Sequence, residues 1–109
     1  MLNGIAVVHL NSDSRIRRII VAGGSAPEAD PESVLKVELI LKKGSIRYTF
    51  DSDNNPEVVL MPNENWAIDL ALGLQSIVPG EYQALLKIFD SQSDDGLVVD
   101  PFKIQFFDV

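Results

Sequence analysis

The chain has 109 residues, no cysteine and a hydrophobic content of 46%, which argues against a disordered chain. This length predicts one domain over residues 1–109, and the lack of cysteine excludes disulfide bonds, thiolate metal sites and cysteine catalysis. The net charge of −7 argues against a nucleic-acid partner, because phosphates bind concentrated basic surfaces.

The first third of the chain predicts two short strands and a long loop. The apolar run 5–10 and the β-branched run 16–21 predict strands, and turn-forming residues 11–14 separate them. Residues 22–33 contain two glycines and two prolines, which predict an exposed loop. A hairpin follows, because residues 35–41 and 46–50 alternate between apolar and polar side chains around the turn Lys43-Gly44-Ser45.

The middle of the chain contains the clearest pattern, which lies between Trp66 and Asp90. A short strand over residues 58–61 precedes it. Apolar side chains then recur at every second position over residues 66–74 and again over 82–88. Pro79-Gly80 lies between the two runs, so we expect a hairpin whose inward face supplies most of the core. The other face of its first strand carries small residues and predicts a surface where a partner packs: Ala67, Ala71 and Gly73.

The end of the chain completes an all-β pattern. Residues 97–99 and 102–106 predict strands, and Pro101 between them predicts a break or an edge position. About seven to nine strands with no helical period are typical of an antiparallel β-sandwich. The spacing of the last third favours an immunoglobulin-like sandwich over a closed barrel, with Tyr82 as the tyrosine-corner residue.

Two acidic turns are the candidate metal sites. Asp51-x-Asp53-x-Asn55 begins like a calcium loop, but Pro56 and Pro62 occupy the positions that need glycine and a bidentate glutamate. The same short side chains predict an Asx turn instead. A calcium ion shared with Asp94 and Asp95 would need both turns at one end of the domain. We therefore predict no metal and no cofactor.

No set of catalytic residues stands out, so we predict that the protein is not an enzyme. His9 is the single histidine and lies in an apolar run, and none of the nine serines lies in a Gly-x-Ser-x-Gly motif. Gly23-Gly24-Ser25 lacks the lysine of a phosphate-binding loop. Nothing distinguishes two of the 16 acidic residues as a pair for glycoside hydrolysis.

Five residues are candidates for contacts with other molecules. Arg15, Arg17 and Arg18 form a basic cluster, which either binds an acidic partner or protects an edge strand by charge. Phe107 follows another aromatic residue, and neighbours on a flat strand face opposite ways, so Phe107 lies under a loop or in an interface. Trp66 is either a buried core residue or an exposed platform for sugar stacking.

The charges are unevenly placed along the chain. Residues 1–50 hold seven basic and five acidic residues, whereas residues 51–109 hold two basic and eleven acidic residues. Either the acidic turns keep a small β-protein soluble, or the subunit is dipolar and stacks head to tail. No apolar run approaches the roughly 18 residues of a membrane helix, and the first residues lack a signal-peptide pattern. We expect no membrane contact and a cytoplasmic location by default.

The C-terminal part carries a resemblance to a known class of proteins. Residues 79–90 lead through Tyr82 into an alternating strand, and residues 94–99 and 102–106 supply an acidic turn and a terminal strand. These segments resemble small immunoglobulin-like modules of bacteriophage and prophage structural proteins. The resemblance implies a structural or assembly role through a protein partner or a homo-oligomer, a virion-associated location, and no catalytic residues. The alternative is a β-sandwich module that binds carbohydrate or calcium.

Overall fold

The structure is a computed structural model that describes residues 5–19, 34–64, 66–90, 93–98 and 101–108. Within these ranges the chain forms strands and turns and no helix, so the predicted all-β class is confirmed, and no helix there is suited to crossing a membrane. The strands in chain order are β1 (Ala6–His9), β2 (Ile16–Ile19), β3 (Lys36–Lys43), β4 (Ile46–Asp51), β5 (Ala67–Leu70), β6 (Gly80–Asp90), β7 (Ser93–Val98) and β8 (Phe102–Phe107).

The strands form two sheets, an arrangement consistent with a β-sandwich. The larger sheet has the order β1-β8-β6-β3-β4, and β7 also pairs with β6. The smaller sheet pairs β2 with β5, and an isolated bridge from Val59 to Leu70 adds the segment before β5. β1 runs parallel to β8, so the prediction of a purely antiparallel fold is wrong for this pair. No hairpin joins these two strands, because they come from opposite ends of the sequence.

The hairpin predicted between residues 35 and 50 is confirmed. β3 and β4 pair antiparallel from Glu38 opposite Asp51 to Lys43 opposite Ile46. Gly44 in the turn has φ of 57°, a left-handed conformation that glycine adopts at little cost. The turn residues and the alternating side chains were therefore sufficient to predict this hairpin.

The hairpin predicted between Trp66 and Asp90 is wrong. Both halves contain strands, but β5 pairs with β2 in the smaller sheet, while β6 pairs with β3 and β8 in the larger one. Residues 71–79 cross from one sheet to the other, and Leu74, predicted to face the core, is 68% exposed. Alternation of apolar and polar side chains indicates that a segment is a strand, but it does not identify the neighbouring strand.

The predicted surface of small residues is also wrong, because the chain covers it. Ala67 is buried. Gly73 donates its N–H to the Ser14 carbonyl at 3.1 Å, and a Cβ there would collide with the Ser12 carbonyl oxygen. The β1–β2 turn therefore occupies the place that the sequence analysis assigned to a partner.

Both sheets contribute to one core, and β6 supplies much of it as predicted. Tyr82 packs edge-on against Phe106, with 5.4 Å between ring centroids. Its hydroxyl donates to the Val78 carbonyl at 2.7 Å, and the Val78 N–H donates to the Tyr48 hydroxyl at 3.1 Å. Two phenols thus hold the segment that crosses between the sheets. The other large, fully buried core side chains include Leu39, Leu41, Ile68, Leu70, Leu86, Ile88 and Ile104.

β7 and β8 lie along the same side of β6 as one interrupted strand. Val98 is opposite Lys87 and Phe102 is opposite Ala84. The break predicted at Pro101 is confirmed.

Candidate functional site

The outer face of the larger sheet, which points away from the core, carries an apolar group of side chains at one edge. Val7 lies on this face of β1 and is 44% exposed, and Ile5, directly before the strand, is 47% exposed. The ring of His9 stacks on that of Phe107, with centroids 5.8 Å apart and an angle of 24° between the rings. Phe107 is 47% exposed. We call these four residues, Ile5, Val7, His9 and Phe107, the apolar edge.

The same face carries a row of polar and basic side chains across four strands. Lys42 lies opposite Arg47 on β4 and opposite Gln83 on β6, and Gln83 lies opposite Lys103 on β8. All four residues are exposed. Lys103 approaches Glu81 at 3.9 Å between Nζ and Oε2. We call Lys42, Arg47, Gln83 and Lys103 the basic row.

The predicted arginine cluster does not share one face. Arg17 points outward from β2 and forms a bidentate pair with Asp69, with Nε–Oδ1 at 2.7 Å and the second N–O contact at 3.0 Å. This hydrogen bonding lowers the pKa of Asp69 and raises that of Arg17. Arg18 points inward, and its guanidinium lies 4.2 Å from the centroid of the Phe102 ring. Arg15 is exposed and lines a shallow cavity of about 170 Å³. Whether these arginines meet a partner stays a prediction.

Trp66 takes an intermediate position between its two predicted roles. Its side chain is partly buried and packs against the core. Its φ of 59° is unusual for a bulky residue, and it follows a tight turn in which its N–H donates to the Asn63 carbonyl at 3.0 Å. Because its ring is only partly buried, Trp66 is neither a fully buried core residue nor a fully exposed platform. Its use as a sugar platform stays a prediction.

The turn at Asp51 has the hydrogen bonds of the predicted Asx turn. The Asp51 Oδ1 accepts from the N–H groups of Asp53 and Asn54 at 2.9 and 2.8 Å, and Oδ2 accepts from the Asn54 amide at 3.0 Å. The Asn54 backbone N–H is the main cause that lowers the pKa of Asp51. Both carboxylate oxygens already accept hydrogen bonds from the turn itself. Among the residues placed by the structure, no three His, Asp or Glu side chains gather as a metal site would require.

Two predicted features lie outside the described part of the chain. These are the loop over residues 22–33, with Gly23-Gly24-Ser25, and the side chains of Asp94 and Asp95. The predicted calcium site that joins the two acidic turns therefore stays a prediction.

The apolar edge and the basic row were mostly missed by sequence analysis. Of the apolar edge, only Phe107 was a candidate, because Ile5 and Val7 belong to a continuous apolar run that looks like a buried strand. The basic row depends on register across four strands, which no local pattern contains. Comparison of the chain with models of protein families, with curated proteins and with solved structures found no match.

Proposed function

We propose that this protein is an immunoglobulin-like, non-enzymatic assembly module that acts through protein–protein contacts. In the immunoglobulin fold, strands G, F, C and C′ form one sheet, while B and E belong to the other. β8, β6, β3 and β4 lie in that order in the larger sheet, and β2 and β5 pair in the smaller. The Tyr82 hydroxyl bonds to the backbone four residues upstream, as a tyrosine corner does. These features support the immunoglobulin-like type.

The apolar edge is the main observation that supports an assembly role. Monomeric β-proteins usually protect an edge strand with charged side chains. β1 instead presents Val7 on its outer face, with Ile5 directly before the strand and Phe107 on the neighbouring β8. Burying the exposed half of each of these side chains would contribute roughly 1 kcal/mol. Such a contact is weak alone and becomes effective when many copies repeat it, which suits the phage or prophage particle that the C-terminal resemblance implies.

A second copy of the chain is the simplest partner for this edge. Two identical edges meet about a two-fold axis, and each copy then offers the same residues to the other. The contact would be mainly apolar, so salt should not weaken it. This distinguishes it from association through charged side chains.

Sedimentation velocity tests the proposal in about 500 mM NaCl, where charges are screened beyond about 4 Å. The wild type should sediment faster as its concentration rises, whereas Val7→Lys should remain monomeric. Leu74→Lys is the matched control, because it places the same charge on an exposed apolar residue outside the edge. A wild type that stays monomeric at all concentrations, or a Val7→Lys variant that associates normally, would overturn the role of the apolar edge in self-association.

A further inference from the structure

The larger sheet has a second edge, which is formed by β4. In the described part of the chain, β4 pairs with β3 on one side and with no strand on the other. Edge strands are usually protected by proline, by a β-bulge or by several charges. β4 pairs with β3 in one continuous register, and Arg47 is the single charged residue between Ile46 and Phe50. This edge is therefore open to pairing with a further strand.

The hydrogen bonds of β4 show which backbone groups face the open edge. The Ser52 N–H donates to the Val37 carbonyl at 2.9 Å, so these two residues form a hydrogen-bonded pair in the register of β3 and β4. Hydrogen-bonded and non-hydrogen-bonded pairs alternate along an antiparallel ladder. Every second residue before Ser52 therefore bonds to β3, whereas Thr49 and Arg47 turn their N–H and C=O groups to the open edge.

Asp51 faces the same way as Thr49, but its backbone groups are bonded within their own turn. Its N–H donates to the Asn55 Oδ1 at 3.2 Å, and its carbonyl accepts from the Asn55 N–H at 2.7 Å. Within the residues that the structure describes, the backbone of Arg47 and Thr49 has no partner at the open edge. The edge therefore offers four unpaired groups, the N–H and C=O of Arg47 and of Thr49.

We infer that β4 pairs antiparallel with β4 of a second copy of this chain, about a two-fold axis at Tyr48. Arg47 of each copy then lies opposite Thr49 of the other, and both are hydrogen-bonded pairs. All four unpaired groups of each copy thus find a partner across the axis. On the other face, Tyr48 lies opposite its own counterpart and Ile46 lies opposite Phe50. These three side chains are only partly buried in the single chain, so the contact covers apolar surface as well.

The two neighbouring registers are less favourable. An axis at Thr49 would set Arg47 opposite Asp51, whose backbone groups already bond to Asn55. An axis at Arg47 would set the two arginines directly opposite each other, and like charges in that position destabilise a sheet. The axis at Tyr48 avoids both, so the sequence of β4 selects one register.

This contact and the apolar edge lie at opposite edges of the larger sheet. Each is two-fold, so copies joined alternately through both edges form an open chain. The inference deepens the proposed function and rests on it for the assembly role, but it uses different residues. Each backbone bond replaces one with water, so the contact is weak by itself, and we expect a dissociation constant on the order of 1 mM. It leaves Val7→Lys monomeric at the lower concentrations that test the apolar edge.

The test uses the Val7→Lys background, in which the apolar edge is disabled, at about 50 mM NaCl. Sedimentation equilibrium up to about 2 mM protein should show monomers and dimers. Thr49→Pro should abolish the dimer, because it removes an N–H that faces the open edge and takes no part in the β3–β4 ladder. Thr49→Val is the matched control, because it keeps the N–H and nearly the same side-chain size, and it should dimerise as Val7→Lys alone does. Thermal unfolding verifies that both variants are folded.

Two charge variants test the register without altering the backbone. Thr49→Glu places a carboxylate opposite Arg47 of the second copy, and Thr49→Arg places a like charge there. Dimerisation should be at least about fivefold tighter for Thr49→Glu than for Thr49→Arg. General repulsion predicts the reverse order, because the net charge is −7 and Thr49→Glu makes the protein more acidic.

Three results would each overturn the inference. They are a Val7→Lys protein that stays monomeric up to about 2 mM, a folded Thr49→Pro variant that dimerises as Thr49→Val does, and a Thr49→Arg dimer as tight as that of Thr49→Glu. If Thr49→Pro does not fold, the order of the two charge variants decides. The apolar edge is decided separately, by the comparison of the wild type with Val7→Lys at high salt.

Discussion

Tyr82→Phe is the sharpest test of how the two sheets are held together. The substitution removes one oxygen and leaves the ring, which is fully buried against Phe106. The lost hydroxyl donates to the Val78 carbonyl at 2.7 Å, in the segment that crosses between the sheets. A hydrogen bond of this kind contributes about 1 kcal/mol net. At about 2.1 cal/mol/K per residue, unfolding 109 residues has an entropy near 0.23 kcal/mol/K, so Tm should fall by about 4 °C.

The measurement is thermal and urea unfolding of Tyr82→Phe, Tyr48→Phe and the double variant. Both phenols hold the backbone of Val78, so the two losses should not add, and the coupling should exceed about 0.5 kcal/mol. Additive losses would mean that the phenols act independently.

The pH dependence of stability gives a second readout for Tyr82. Burial, with a further contribution from Tyr48, raises the pKa of the Tyr82 phenol. The folded chain then keeps a proton that the unfolded chain releases above about pH 10, so stability is present below that pH and falls as pH rises through it. Tyr82→Phe should lose part of this alkaline decline. A variant with an unchanged Tm and the same alkaline slope would refute the role of the hydroxyl.

Two further predictions concern other contacts. Gly73→Ala should lower the free energy of unfolding by about 2 kcal/mol, because the added Cβ would collide with the backbone of Ser12 and Ser14. Gly44→Ala should be milder, because the added Cβ has open space and only the left-handed φ is unfavourable. Urea unfolding of both variants would contradict this if Gly73→Ala were the milder change. Asp69→Asn should lower the unfolding midpoint at pH 7, because Arg17 lowers the pKa of Asp69 in the folded state. This contribution of the ion pair to stability is present above about pH 4 and is lost as pH falls. The difference in unfolding midpoint between wild type and variant should therefore disappear in acid. A difference that persists there would show that the ion pair is not its cause.

The sequence by itself determined the features that depend on near neighbours. Alternation identified β6 and the side chains it buries, and Lys43-Gly44-Ser45 identified the β3–β4 turn. Asx residues predicted the hydrogen bonds around Asp51, and Pro101 predicted the break between the last two strands. In each case the deciding interactions join residues a few positions apart, so composition and spacing contain them.

Only the tertiary structure decided which strands lie beside one another. Residues 66–90 contain the clearest alternation in the chain, yet β5 and β6 belong to different sheets. The basic row was missed for the same reason, because only the register of four strands brings Lys42, Arg47 and Lys103 into one line. A period of two assigns each side chain to a face of its own strand, whereas the partner strand and the register depend on how the whole core packs. The surfaces proposed for assembly arise from that long-range pairing.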